Sequence, residues 1–204
     1  MFTGIVQAVG VVNDVRHLDA DMTLFIDTGT LDPASLAVGD SLAVNGVCLT
    51  VAEALAETVK VDLSVETLSR TLFGASSPGL RVNLEPAVTP QTVLGGHMVS
   101  GHVDGIGRLL AREDVGRSVS MTFAVPEELA RYIAVKGSIC VDGVSLTVNA
   151  VADATFEVSI VPHTLDSTIL GGYVAGDAVH LEVDIIARYL ERLLQYPPAG
   201  SSGG

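Results

Sequence analysis

The chain has 204 residues, 48% of them hydrophobic, and a formal net charge of −13. That is enough apolar material for one good-sized core or two small ones, while the negative charge and the scarcity of aromatic platforms argue against nucleic-acid and membrane-surface binding. No apolar run approaches the roughly 20 residues of a membrane span, Met1-Phe2-Thr3-Gly4 lacks signal-peptide order, and Cys48 and Cys140 are the only thiols, so a cytoplasmic protein with reduced cysteines is expected, without a disulfide scaffold or zinc site.

In chain order, short β-branched runs at Ile5 to Val12, Met22 to Ile26, Ser41 to Val51, Thr58 to Ser64 and Leu80 to Leu84 read as strands. Strands at this spacing suggest an all-β sandwich or a closed barrel. A brief helix is predicted at Asp32 to Leu36, and Asn45-Gly46 is a strong hairpin-turn dipeptide. Pro86, Pro90 and Gly95-Gly96 mark a join, with the boundary between residues 87 and 97. Beyond it come a second brief helix at Glu127 to Tyr132, introduced by Pro126, and a second hairpin dipeptide, Asp142-Gly143. From Asp184 to Gln195 the period changes: Ile186, Tyr189, Leu190 and Leu193 fall on one face of a helix. At about twelve residues such a helix is marginal alone, so its stripe must bury itself either against its own barrels or against the same helix in other subunits, and self-association is the favoured expectation because the helix follows two closed domains. Residues 197–204 read as a disordered tail.

The chain is also written twice. At an offset of ninety-seven residues, Leu42 to Val51 lies on Ile139 to Val148 with six of ten pairs identical. The same register, without a gap, pairs Met1 with Met98, Gly4 with Gly101, Val6 with Val103, Thr67-Leu68 with Thr164-Leu165 and Leu84-Glu85 with Leu181-Glu182. A period this long is not a solenoid repeat. It predicts two tandem domains, 1–90 and 97–184, followed by an association helix at 185–196.

Residues two apart on a strand share a face, so Cys48 and Thr50 point one way while Val47, Leu49 and Val51 point the other. Ser145 and Thr147 repeat the arrangement. One such strand is ordinarily a half-buried strand with hydroxyls turned to water; the same polar pair in both copies suggests two related ligand pockets. They are unequal pockets, because Ile5 corresponds to His102, Gly39 to Lys136, Cys48 to Ser145 and Glu66 to His163. His97 and His102 have odd spacing, which sends them to opposite faces of an extended strand, and no third ligand is evident, so no metal site is predicted. Of the two, His102 is taken as the functional histidine. His17 and His180 have no partner motif and are expected at the surface.

Four motifs together resemble riboflavin synthases of the duplicated-barrel type: Met1 to Val6, Asn45 to Val51, Gly95-Gly96-His97 through Gly101-His102-Val103-Asp104, and Asp142 to Val148. The resemblance runs from Met1 to about Leu194 and implies two similar closed Greek-key β-barrels with a C-terminal amphipathic helix. It further implies a transferase that dismutates two molecules of 6,7-dimethyl-8-ribityllumazine, moving a four-carbon unit to give riboflavin and 5-amino-6-ribitylamino-pyrimidinedione, with no cofactor or metal. The implied assembly is a homotrimer held by the C-terminal helices, with each active site between barrels of two subunits. Association with the lumazine synthase that makes the substrate is one more partner this resemblance leaves open.

Family substrate contacts carry over to Gly4, Ile5, Val6, Cys48, Leu49, Thr50, Asp62, Ser64 and Thr67, expected in the first barrel. Gly101, Val103, Lys136, Ser145, Leu146, Thr147, Ser159, Val161 and Thr164 are expected in the second. His102 is the first candidate for proton transfer, since imidazole titrates near working pH. Cys48 is a candidate to activate or add to the acceptor ring, with Ser145 and the two threonines as hydrogen-bond partners. Leu72 and Ser64 depart from the family pattern, where asparagine and methionine are common, at what is expected to be the first pocket's wall. The alternative on the same fold is a non-catalytic lumazine- or flavin-binding protein, with a flavin-dependent reductase as a third reading. Such binding relatives lose the thiol and histidines, whereas Cys48, His97 and His102 are present.

Overall fold

The structure, a computed structural model, describes residues 1–196; the tail expected at 197–204 lies outside them. Two closed six-stranded antiparallel barrels follow one another. The first contains β1 (Ala8–Leu18), β2 (Asp21–Asp27), β3 (Ser41–Val44), β4 (Val47–Ala54), β5 (Thr58–Leu63) and β6 (Arg81–Pro86), in the order β1-β2-β5-β4-β3-β6. The second repeats that order with β7 (Gly105–Val115), β8 (Ser118–Ala124), β9 (Ser138–Val141), β10 (Val144–Ala152), β11 (Thr155–Ile160) and β12 (Ala178–Val183).

Local chemistry explains the repetition. Asn45 and Gly46 both have positive φ, as do Asp142 and Gly143, the primed turn whose twist suits a two-residue hairpin. Register shifts recur at matched places, between Val12 and Asp14 and between Val51 and Glu53 in the first barrel, Leu109 and Ala111 and Val148 and Ala150 in the second. Such bulges sharpen the twist that closes a barrel. Inside, alternate residues pack two separate cores: Met22, Leu24, Ile26, Val59 and Val61 in one, Met121, Phe123, Phe156 and Val158 in the other. Each large apolar side chain fully buried there contributes about 1.5–3 kcal/mol.

Several predicted bounds shift. The first strand begins at Ala8 rather than Ile5, because residues 2–5 leave the barrel to meet the other copy. The Asp32–Leu36 helix is a single 3-10 turn over Pro33–Ser35, capped by the Asp32 carboxylate, and α2 (Glu127–Ala130) ends two residues early. Two six-residue helices were not predicted: α1 (Val65–Arg70), whose cap is Ser64, and α3 (Pro162–Ser167). The terminal helix α4 (Ile185–Gln195) is capped by Asp184. Arg188 pairs with Asp104, and Glu191 bonds Tyr132 and Arg131, the latter at 2.9 Å. These contacts hold the polar face of α4 to the second barrel and leave Ile186, Tyr189, Leu190, Leu193 and Leu194 exposed. No helix among the described residues is long and apolar enough to cross a membrane.

The barrels meet through reciprocal contacts at equivalent positions. Asn83 on β6 donates from Nδ2 to the Asp142 carbonyl at 2.8 Å and accepts the Ile169 amide at 2.9 Å. Its counterpart His180 on β12 bonds the Asn45 carbonyl through Nδ1 at 3.0 Å and accepts the Leu72 amide on Nε2 at 2.8 Å. His180 is therefore not a surface residue: it is 2% exposed, because the outer face of β12 is covered by the other barrel. Its ring replaces an amide as the bridge between the copies. His17 is exposed.

Candidate functional site

The site begins with two exchanged arms. Phe2 and Val99 form an antiparallel bridge between the copies, and each arm then crosses to the opposite barrel. The Ser145 amide donates to the Gly4 carbonyl at 2.7 Å, and the Cys48 amide to the Gly101 carbonyl at 2.8 Å. Gly4 and Gly101 have φ of 74° and 81°, and an added Cβ on either would lie 2.6 Å from the Cβ of Ser145 or Cys48. Glycine is required twice over, by conformation and by contact.

A buried carboxylate clamps each arm. Glu85 accepts the Thr3 amide and hydroxyl, both at 2.7 Å, and the Gly4 amide at 2.9 Å. Glu182 accepts the Ser100 amide and hydroxyl and the Gly101 and His102 amides at 2.6 to 3.0 Å. Burial raises the pKa of both carboxyl groups despite these bonds, since desolvation opposes the charged form.

This exchange corrects the division of residues between pockets. Val6 packs against the second core and Val103 against the first, so the arm of Gly4 to Val6 belongs with the second barrel's candidate residues and the arm of Gly101 to Val103 with the first barrel's. Each pocket's own residues lie on the outer face of a barrel. In the first, Ser41 pairs with Thr50 and Ala43 with Cys48; the Val51–Val61 pairing, continued by one residue, sets Thr50 opposite Asp62. Asp62 accepts the Thr23 hydroxyl at 2.7 Å with Lys60 at 3.9 Å. The second barrel repeats this row with hydroxyls: Ser138 pairs with Thr147, and Ser159 with Ser120. One row therefore carries a carboxylate where the other does not.

Ser64 and Thr67 lie at the start of α1, their hydroxyls 3.2 Å apart. Val161 is the cap residue of α3, and Thr164 lies within that helix. Lys136 stands at φ 66°, where the first copy has Gly39, and its ammonium donates to Asn149 at 3.3 Å. Alternation limits what two of the candidates can offer: the side chains of Leu49 and Leu146, 4% and 7% exposed, point into the cores, leaving only main chain toward the outer face. Leu72 lines a cavity of about 560 Å³ between the barrels, with Phe73, Arg81, Tyr173 and His180. That cavity contains neither arm nor any of the paired hydroxyls, so the outer faces are the better candidate site.

His102 is exposed, in a cavity of about 410 Å³ beneath α4, with Ser100, Asp104, Arg188, Tyr189 and Arg192. His97, which the sequence ranked below it, is buried, and its Nδ1 lies 2.7 Å from Ser145 Oγ. Burial lowers the His97 pKa from 6.5, only partly opposed by Asp184. The two imidazoles are therefore placed differently: that of His97 sits on Ser145, whereas His102 follows Gly101, whose carbonyl takes the Cys48 amide, and its ring lines the cavity under α4. The thiol of Cys48 is half-buried on the outer face, whereas complete burial pushes that of Cys140 well up, so the latter is chemically inert.

The sequence pattern of the lumazine binding domain family matches residues 3–87 and again 100–184. Riboflavin synthase of Photobacterium phosphoreum is 46% identical over 194 residues, 95% of this chain and 89% of the relative. Riboflavin synthase of Brucella abortus is 41% identical over 201 residues, 96% and 99% of the two chains. Among solved structures, LumP complexed with riboflavin superposes with a TM-score of 0.82 at 25% identity, covering 90% of this chain and 99% of that one.

Proposed function

Since this chain belongs to the riboflavin synthase family, transferase-type enzymes built from two lumazine binding domains, we propose that it converts two molecules of 6,7-dimethyl-8-ribityllumazine into riboflavin and 5-amino-6-ribitylamino-pyrimidinedione. The observation that carries this reading is the 46% identity to a riboflavin synthase along nearly the whole chain, supported by two similar outer faces with unequal chemistry. In the dismutation one lumazine gives up the four carbons C6, C7 and their methyls, and the other takes them up, so atoms balance without an outside oxidant or reductant. Two like molecules in unlike roles call for two related, unequal sites.

The division of labour follows the arms. The C7 methyl of a lumazine is acidic because its carbanion spreads into the ring, so a modest base suffices to start the reaction. His102 is that proton-transfer group, acting from the arm beside the first pocket. The Cys48 thiol activates or adds to the acceptor ring, and Ser145, Thr50 and Thr147 hold the heterocycles by hydrogen bonds. Holding two rings in register supplies much of the acceleration by proximity.

The two faces of one chain point outward, so the reading includes a homotrimer joined through the exposed stripe of α4, with each reaction centre between the first barrel of one subunit and the second barrel of another. Ile5, Val135 and Val161 are exposed around the second pocket's residues, as unpartnered apolar groups at such a contact would be. A cytoplasmic location belongs to the same reading. The second reading, a lumazine- or flavin-binding protein without turnover, is favoured by the likeness to LumP complexed with riboflavin. Incubating purified protein with the lumazine alone separates the two by whether riboflavin forms.

A further inference from the structure

His97 lies within hydrogen-bond distance of Ser145 Oγ at 2.7 Å, while its other ring nitrogen, Nε2, is buried with no partner among the described residues. The ring is held there by the chain on both sides. Its amide donates to the Thr3 carbonyl at 3.1 Å. Gly96 is packed so closely that an added Cβ would lie 2.1 Å from the Thr3 carbonyl and 2.9 Å from Ser145 Oγ. Desolvation favours the neutral ring, and a neutral ring carries one proton, on Nδ1 or on Nε2. With the proton on Nε2, a buried N–H would be left without an acceptor; with the proton on Nδ1, the orphan is an unprotonated nitrogen. A buried unpaired donor is the rarer of the two defects.

We infer that His97 is a positioning residue that holds the Nδ1–H tautomer, donates to Ser145 Oγ, and so turns the serine hydroxyl proton outward as a donor to a carbonyl oxygen or ring nitrogen of a heterocycle in the second pocket. This rests on the proposed function, in which Ser145 faces bound lumazine. A base-activated serine nucleophile requires the opposite polarity, Nδ1 accepting the hydroxyl proton and a third group orienting the ring from Nε2. No such group bonds Nε2 among the described residues. Among the described residues no imidazole bonds the thiol of Cys48 either, so the device is specific to the second pocket.

The test is a ring-nitrogen NMR spectrum of the full chain labelled in histidine, with the His97 signal assigned by difference from a His97→Asn protein. The expected spectrum has Nδ1 protonated at neutral pH; protonation at Nε2 overturns the inference. This measurement reads the tautomer whether or not the protein makes riboflavin, so its failure is distinct from failure of the proposed activity. Riboflavin titration gives the second readout. His97→Asn keeps an N–H near the Nδ1 position and is expected to bind within about twofold of the parent, whereas His97→Phe and Ser145→Ala each weaken binding roughly five- to tenfold, the loss of one hydrogen bond. The double variant is expected to be no worse than Ser145→Ala. His97→Asn binding as poorly as a correctly folded His97→Phe, or additive losses in the double variant, contradicts the inference.

Discussion

The amide of Cys48 lies 2.8 Å from the carbonyl oxygen of Gly101, a residue of the other copy. That bond and its twin, Ser145 to Gly4, build each proposed pocket from both halves of the repeat. Replacing Gly101 by alanine forces φ 81° on a residue with a Cβ and drives it to 2.6 Å from the Cys48 Cβ. The left-handed conformation alone costs about 1–2 kcal/mol. A lower Tm and a loss of riboflavin formation larger than the unfolded fraction explains are expected; unchanged turnover in a folded Gly101→Ala protein counts against the arm as part of the site.

Lys136 stores the opposite bargain. At φ 66° it holds a lysine where the other copy has glycine. Lys136→Gly is expected to raise stability by roughly 0.5–1 kcal/mol by relieving that conformation, while weakening substrate affinity at the second pocket. Chemical denaturation and KM are the two measurements, and a stabilised variant with unaltered KM removes Lys136 from the site.

The carboxyl groups of Glu85 and Glu182 titrate above 4.5 in the folded chain. The folded state then binds more protons than the unfolded one between that value and the raised pKa, so these groups make stability fall as pH rises through the window. His97 has the reverse sign. Its lowered pKa contributes stability above about 6.5 that is lost as pH falls through its folded value. Unfolding free energy followed across pH is expected to have a smaller downward slope in a Glu85→Gln, Glu182→Gln protein, and a smaller acid loss in His97→Phe. Superimposable pH profiles contradict both assignments.

Leu190 and Leu193 are 56% and 69% exposed on α4, while the other side of the helix is tied down by Arg188 and Glu191. Leu190→Glu is expected to leave both barrels folded but to convert a trimer into a monomer in sedimentation experiments, because a charge in a desolvated helix contact costs on the order of 2 kcal/mol or more. Activity is expected to fall with it. A parent protein that sediments as a monomer at working concentration defeats the shared-site arrangement.

Much of this was legible in the residues. The repeat, the Asn45-Gly46 and Asp142-Gly143 turns and the stripe of α4 rest on local rules, and the chain obeys them. The arms were not legible, since an alignment of the copies assigns Gly4 to the first and Gly101 to the second, whereas their crossing is decided by tertiary contacts with Ser145 and Cys48. The burial of His180 escaped for a related reason: covering β12 depends on the partner barrel. One signal was available, because Asn83 stands at the equivalent position, and a polar side chain retained between apolar neighbours in both copies suggests a buried bridge. α1 and α3 are too short for a helical period to register, and Pro162 reads equally well as a turn.

In the proposed reaction two unequal pockets, each finished by the other copy's arm, carry out one dismutation. The most direct measurement is to mix purified protein with 6,7-dimethyl-8-ribityllumazine alone and follow both compounds by absorbance. Riboflavin is expected to appear without any added cofactor, one molecule for every two lumazines consumed, with a sharp loss of rate in His102→Ala. Tight lumazine binding with no riboflavin formed would contradict the proposed reaction.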